Sequence, residues 1–221
     1  MILPEDYSDE ARALWNAALD LNRAAIAVSP GAGRLPPLLF FTDPDRTPRP
    51  WETAARLPRG AGVVFRAFGR AEALEIGQRL RAATAGRGVR LLVGRDADLA
   101  VRLEADGVHL PERAMAEATA MRRIRPDWLL TSAWHGAPLQ IGAVDVDALV
   151  LSPVFPAGGA SARKPALGVS AFRARTLAAP CPVYALGGVN GARAAGLAES
   201  GACGIAGVEA IQAAFAQPAR T

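Results

Sequence analysis

Val183-Tyr184-Ala185-Leu186-Gly187-Gly188-Val189-Asn190, followed by Gly204-Ile205-Ala206-Gly207-Val208-Glu209, is the stretch on which the fold turns. Each half is a short apolar run that ends in glycine, and a helical pattern over 191–199 joins them. Short apolar runs alternating with helices describe strand–helix units rather than hairpins. Six more such runs precede this pair, at 38–42, 62–66, 89–93, 107–110, 129–132 and 148–155. With 183–186 and 204–208 they make eight strands.

Helical patterns fall between the runs. They are clearest at 70–85, 97–105, 113–124 and 191–199, and shorter or weaker at 51–57, 138–144, 170–178 and 209–216. Several runs are apolar throughout instead of alternating, as expected of strands covered by helices outside and packed inside a barrel. The spacing predicts an α/β fold, a (β/α)8 TIM barrel, over residues 35–221. An open doubly wound sheet would more often carry a glycine-rich loop after its first strand, where this chain has Thr42-Asp43-Pro44-Asp45. Ahead of the barrel, residues 1–34 form an N-terminal helical arm. Its helix spans 5–28, with Asp6 or Ser8 as cap and Leu14, Ala18, Leu21 and Ala25 on one face, and Ser29-Pro30-Gly31-Ala32-Gly33 ends it. That face leaves two expectations open: it caps the barrel floor, or it packs on a partner subunit of a homo-oligomer.

The 221 residues are 51% hydrophobic and 21% charged, enough to bury a core without disulfide or metal staples. This composition excludes a disordered chain. Of 25 basic residues only Lys164 is a lysine. The pI of about 9.8 does not signal nucleic acid, because the arginines are scattered and not interleaved with aromatics. Cys181 and Cys203 read as reduced thiols. No apolar run approaches the ~20 residues of a membrane span. The acidic start, Met1 to Asp6, lacks a signal pattern, so a cytoplasmic protein is expected.

In a barrel the chemistry sits at the C-terminal strand ends. Gly187, Gly188, Gly207, Val208 and Glu209 lie at two of these ends, where backbone N–H groups and a helix N-terminus suit a phosphate. The alternative is that the glycines only make tight turns. The Glu209 carboxylate would repel a phosphate there unless it points away or pairs with an arginine. The loop 152–165 is rich in small residues and carries Arg163 and Lys164, the features of a lid bearing cations, or of a solvated loop. His109 and His135 are the only histidines, too few for a multi-histidine metal site.

The segments Leu38 to Asp43, Asp98-Leu99-Ala100, Ala105-Asp106-Gly107-Val108-His109-Leu110, Ser152-Pro153-Val154-Phe155-Pro156, Leu167-Gly168 and Ala185 to Asn190 stand in a characteristic order. In that order the chain resembles the thiamine phosphate synthase/TenI family. The resemblance implies a (β/α)8 barrel and a small phosphorylated heterocycle, a thiazole phosphate, as ligand. Synthases of this family join it to a pyrimidine diphosphate with Mg²⁺ and release pyrophosphate; TenI-type members isomerise it.

Carried over residue by residue, the family's Arg-x-Lys is Arg66-Ala67-Phe68 here, so only the arginine stays. Its Asn-Asp aligns with Gly94-Arg95, with Asp96 one place along as a shifted metal ligand. Its Gly-Gln-x-Asp reads Pro111-Glu112-Arg113-Ala114, and its Thr-x-Thr-Lys reads Ala157-Gly158-Gly159-Ala160, with Lys164 as a displaced lysine. Its Ser-x-His is Ala133-Trp134-His135. Arg66 and Lys164 are thus the implied diphosphate ligands and His135 the implied catalytic group. Mg²⁺ is implied only for synthase activity. With both aligned carboxylates replaced, the pattern favours a TenI-like isomerase over a synthase with a rebuilt metal site. The third expectation is a non-catalytic binding paralogue.

Overall fold

A computed structural model describes residues 3–137, 139, 145–159 and 163–216. Eight parallel strands close into a barrel in sequence order, the first pairing with the eighth. They are β1 (Leu38–Phe41), β2 (Gly62–Phe65), β3 (Arg90–Gly94), β4 (Gly107–Leu110), β5 (Leu129–Trp134), β6 (Ala148–Leu151), β7 (Val183–Leu186) and β8 (Gly204–Gly207). The helices are α1 (Asp9–Val28), α2 (Pro50–Ala54), α3 (Ala73–Thr84), α4 (Ala97–Arg102), α5 (Glu117–Ile124), α6 (Gly168–Ala178), α7 (Gly191–Ala194) and α8 (Glu209–Phe215). The helix expected over 138–144 falls on positions that, apart from Leu139, lie outside the described residues.

The expected sixth run continued to Phe155, but β6 stops at Leu151. Pro153 has no N–H to give to a ladder, so the chain leaves the sheet at Ser152. The expected helix over 191–199 is α7 for only one turn before it tightens to a 3-10 turn over Ala195–Leu197.

Strand side chains point alternately into the lumen and out to the helices. Leu39, Phe41, Val64, Leu92, Leu129, Val150, Tyr184 and Ala206 fill the lumen as one cluster. Leu38, Phe40, Val63, Leu91, Val108, Leu130, Leu149 and Ile205 join the larger shell beneath the helices. Tyr184 spans the lumen floor: its ring passes the Cβ-less face of Gly204, and its hydroxyl donates to the Pro36 carbonyl at 2.7 Å. A Cβ on Gly204 would strike the Pro37 carbonyl oxygen and lie 2.9 Å from Tyr184 Cε1.

The N-terminal segment is part of the wall. Ser8 caps α1, its Oγ accepting from the Ala11 N–H at 3.1 Å. Ala11, Leu14, Trp15, Ala18 and Leu21 on its inner face belong to the shell core, packed beside α7, β8 and α8. Asn22, buried, donates to the Ala32 and Cys203 carbonyls at 3.3 and 3.2 Å and so ties the turn over Pro30–Arg34 to the barrel floor. Among the described residues no helix is long and apolar enough to cross a membrane.

Candidate functional site

The C-terminal rim holds a cavity of about 310 Å³ between the ends of β7 and β8. Gly187, Gly188, Gly207, Val208 and Glu209 line it, together with Arg66 from the end of β2. Six of the expected residues therefore meet at one place. Gly187 and Gly188 both turn through positive φ, +99° and +65°. They also let the segment after β6 lie directly on them: Val154 and Phe155 donate to the Leu186 and Gly187 carbonyls at 3.0 Å each. The backbone at the cradle is thus set by two strands and the loop of a third.

Arg46 and Arg193 also line the cavity. Arg46 reaches it because Asp43 folds its own loop: Asp43 Oδ1 accepts the Asp45 and Arg46 N–H groups at 3.2 Å each. Arg46 Nη2 then donates to Asp43 Oδ2 at 2.8 Å, and Nη1 lies 3.4 Å from Glu209 Oε2. This pairing offsets part of the Glu209 charge. Burial alone would raise the Asp43 carboxyl, but the bonds from Arg46 outweigh it and hold the group below its ordinary range. Arg193 sits on α7, which Asn190 caps through its Arg193 N–H, and donates to the Gly188 carbonyl at 2.9 Å.

Arg66 is the most constrained cation of the rim. Its Nε donates to the Thr42 carbonyl at 2.7 Å, and its guanidinium lies 5.4 Å from the Phe41 ring centroid and 5.3 Å from that of Phe68. Nη2 is buried, 3.6 Å from Asp43 Oδ2, with no hydrogen-bond partner among the described residues. Burial lowers its pKa to about 10, with Asp43 opposing and Arg46 adding to the shift, so it stays charged at neutral pH. A buried guanidinium with an unused N–H is a donor waiting for an anionic oxygen.

His135, Asp96 and Lys164 do not line this cavity. His135 is exposed just past β5, its backbone N–H donating to Glu112 Oε1 at 3.0 Å. Asp96 caps α4, its Oδ1 accepting the Leu99 N–H at 2.8 Å. Lys164 is exposed ahead of α6 and makes no ion pair among the described residues. The other histidine lies deeper. His109 points into the lumen, Nδ1 3.0 Å from Thr131 Oγ1 and its ring edge-on to Phe41 at 4.9 Å. Burial, with Arg66 adding, lowers its pKa to about 3, so the imidazole is neutral.

A family profile described as "Thiamine monophosphate synthase" matches residues 45–211. The thiamine-phosphate synthase of Archaeoglobus fulgidus is 34% identical over 140 residues, 63% of this chain and 66% of that protein. That of Chloroflexus aurantiacus is 36% identical over 144 residues, 65% of each chain. The matched part thus spans just under two thirds of either relative's length. The solved structure of thiamine phosphate pyrophosphorylase from Pyrococcus furiosus superposes with a TM-score of 0.66 at 25% identity. It covers 81% of this chain and 92% of that one.

Proposed function

Because the chain belongs to the thiamine monophosphate synthase family, we propose that it binds a thiazole phosphate in the β7/β8 cradle and tautomerises it, with His135 carrying the proton. The observation that supports this most is the cavity itself: glycine backbone from two strand ends, ringed by Arg46, Arg66 and Arg193. A phosphate dianion is stabilised by N–H donors and guanidinium groups held in place before it arrives. Its anchored ring then needs one group able to take a proton from one atom and return it to another. His135, exposed past the end of β5 and outside the cradle lining, is the group that the family motif implies for this step, and Glu112 accepts its backbone N–H.

The residues present do not fit the Mg²⁺ that coupling to a diphosphate calls for. Mg²⁺ takes one or two protein carboxylates besides phosphate oxygens. Asp43 is bound to Arg46, Glu209 pairs with Arg46, Glu112 holds the His135 N–H, and Asp96 caps a helix.

A second reading, a working synthase, is favoured by the unpartnered Nη2 of Arg66, which suits a diphosphate oxygen. Proton NMR of thiazole phosphate with the protein, and with His135→Ala, separates the two. Tautomer exchange that disappears in the variant supports the isomerase. Exchange at an equal rate in the variant removes His135, and Mg²⁺-dependent formation of thiamine phosphate from the two precursors would establish the synthase instead.

A further inference from the structure

A second cavity, wider than the cradle, lies at the other end of the barrel. It encloses about 880 Å³ at the N-terminal ends of the strands, between the turn over Pro30–Arg34 and the loops leading into β2 and β3. On a strand of this length the two ends are on the order of 15 Å apart. The cavity is therefore separate from the cradle.

Its lining is unbalanced in charge. Five arginines, at 34, 59, 81, 90 and 125, face three carboxylates, Glu104, Asp106 and Asp127. Two carboxylates are committed. Asp106 Oδ2 accepts from Arg81 Nη1 at 3.1 Å and from the Leu91 N–H at 2.8 Å. Asp127 takes the forked guanidinium of Arg125 at 3.2 and 3.0 Å. Arg34, Arg59 and Arg90 make no ion pair among the described residues.

The backbone gathers Arg59 and Arg90, and Arg34 joins the lining from the turn over Pro30–Arg34. Arg90 opens β3 on the same face as Leu92, whose side chain is in the lumen, so its half-buried side chain is directed at the barrel mouth. Arg59 lies across Gly88, two residues before Arg90: a Cβ there would stand 2.8 Å from Arg59 Cγ and 3.2 Å from its Cζ. The Gly60 N–H donates to the Gly88 carbonyl at 2.8 Å and locks the two loops together. Like charges so assembled repel one another unless an anion lies between them. A planar guanidinium is the side chain that grips phosphate oxygens in pairs.

We propose that this basin is a second anion site, for a compact polyphosphate, held by Arg34, Arg59 and Arg90. A polyphosphate fits better than a single phosphate because the three cations come from three separate segments around a volume well above that of the cradle. The site stands whether or not the reading of the cradle is right.

Calorimetric titration of the full chain with inorganic tripolyphosphate tests it, in four forms: unchanged, Arg66→Ala, Arg59→Ala/Arg90→Ala, and Arg34→Glu/Arg59→Glu. The last pair sits on exposed side chains, so its fold, checked by circular dichroism, does not depend on burying a new group. The expected result is binding that survives Arg66→Ala within about threefold and weakens more than tenfold in both basin variants. Tripolyphosphate binding that is unchanged in the basin variants and lost in Arg66→Ala would overturn the proposal, as would no binding in any form. Failure of the cradle reading would instead appear as thiazole phosphate binding that is absent, or the same in Arg66→Ala as in the unchanged protein, and neither result alters the tripolyphosphate comparison.

Discussion

Gly188→Ala is the substitution that bears hardest on the cradle. The residue has φ +65°, and a Cβ there would run into the Pro156 carbonyl oxygen and stand 2.8 Å from Phe155 Cβ. An L residue in that region costs roughly 1–2 kcal/mol, and forcing a methyl into packed surroundings roughly 1–3 kcal/mol more. The sum, about 2–5 kcal/mol, divided by a urea m-value of about 2 kcal/mol/M, is a fall in the unfolding midpoint of about 1–2.5 M. Gly196→Ala is the control, because nothing lies within 4 Å of its Cβ and its φ is not positive; it should stay within about 0.5 kcal/mol of the parent. The displaced segment at Phe155–Pro156 should also loosen the anion site, so inorganic phosphate should bind more than tenfold more weakly. Urea midpoints and calorimetric phosphate titrations of the three proteins read both effects. A Gly188→Ala protein with a midpoint and phosphate affinity indistinguishable from the Gly196→Ala control would refute the account of this turn.

Glu209→Gln removes the one carboxylate of the cavity that faces Arg46 across 3.4 Å, so phosphate should bind about fivefold more tightly, from about 1 kcal/mol of relieved repulsion through largely solvated space; a weaker phosphate complex would mean that Glu209 holds Arg46 in its working position. His109 has a folded pKa of about 3 against an ordinary 6.5. Below pH 6.5 the unfolded chain takes up this proton and the folded chain does not, so stability should fall toward pH 3 by up to about 1.4 kcal/mol per pH unit. Urea titrations between pH 6.5 and 5 should show a shallower slope for His109→Gln, and identical slopes would contradict its burial as a neutral ring. Tyr184→Phe leaves the Pro36 carbonyl without its 2.7 Å donor and should cost about 1–3 kcal/mol by the same denaturation assay. Burial pushes Cys181 up to about 12 and raises Cys203 well above its ordinary value, so both thiols should react slowly with a disulfide reagent at pH 8 in the folded protein and at full speed in urea.

What could be read from the residues was whatever is local. Gly187-Gly188 and Gly207-Val208-Glu209 announce their strand ends by position alone, and Ser8 announces the start of α1. The lumen was not legible in the same way, because β1, β2, β4, β6 and β8 are buried at every position. With no polar face, no period of two separates Phe40 in the shell from Phe41 in the lumen. Arg46 was missed because its link to Glu209 spans 163 positions and exists only once β1 pairs with β8. Arg193 sits three residues past Asn190, a helix-cap signal that could have drawn attention to it. The family resemblance pointed to His135, Asp96 and Lys164 through aligned motifs, but which of them shares a cavity with the glycines depends on loop paths that no spacing encodes.

The seat of α1 in the wall has a consequence for how the chain comes into being. Ser8 Oγ donates to the Ala214 carbonyl 206 positions away, and Glu10 Oε1 accepts the Gly191 N–H 181 positions away. On a ribosome the first helix emerges early, while every surface that covers Leu14, Trp15, Ala18 and Leu21 is still unmade. Its apolar stripe is fully covered only after α7, β8 and α8 have been synthesised. Ring closure by β1 and β8 is thereby coupled to the docking of α1 on α7, β8 and α8, contacts that reach 206 positions along the chain.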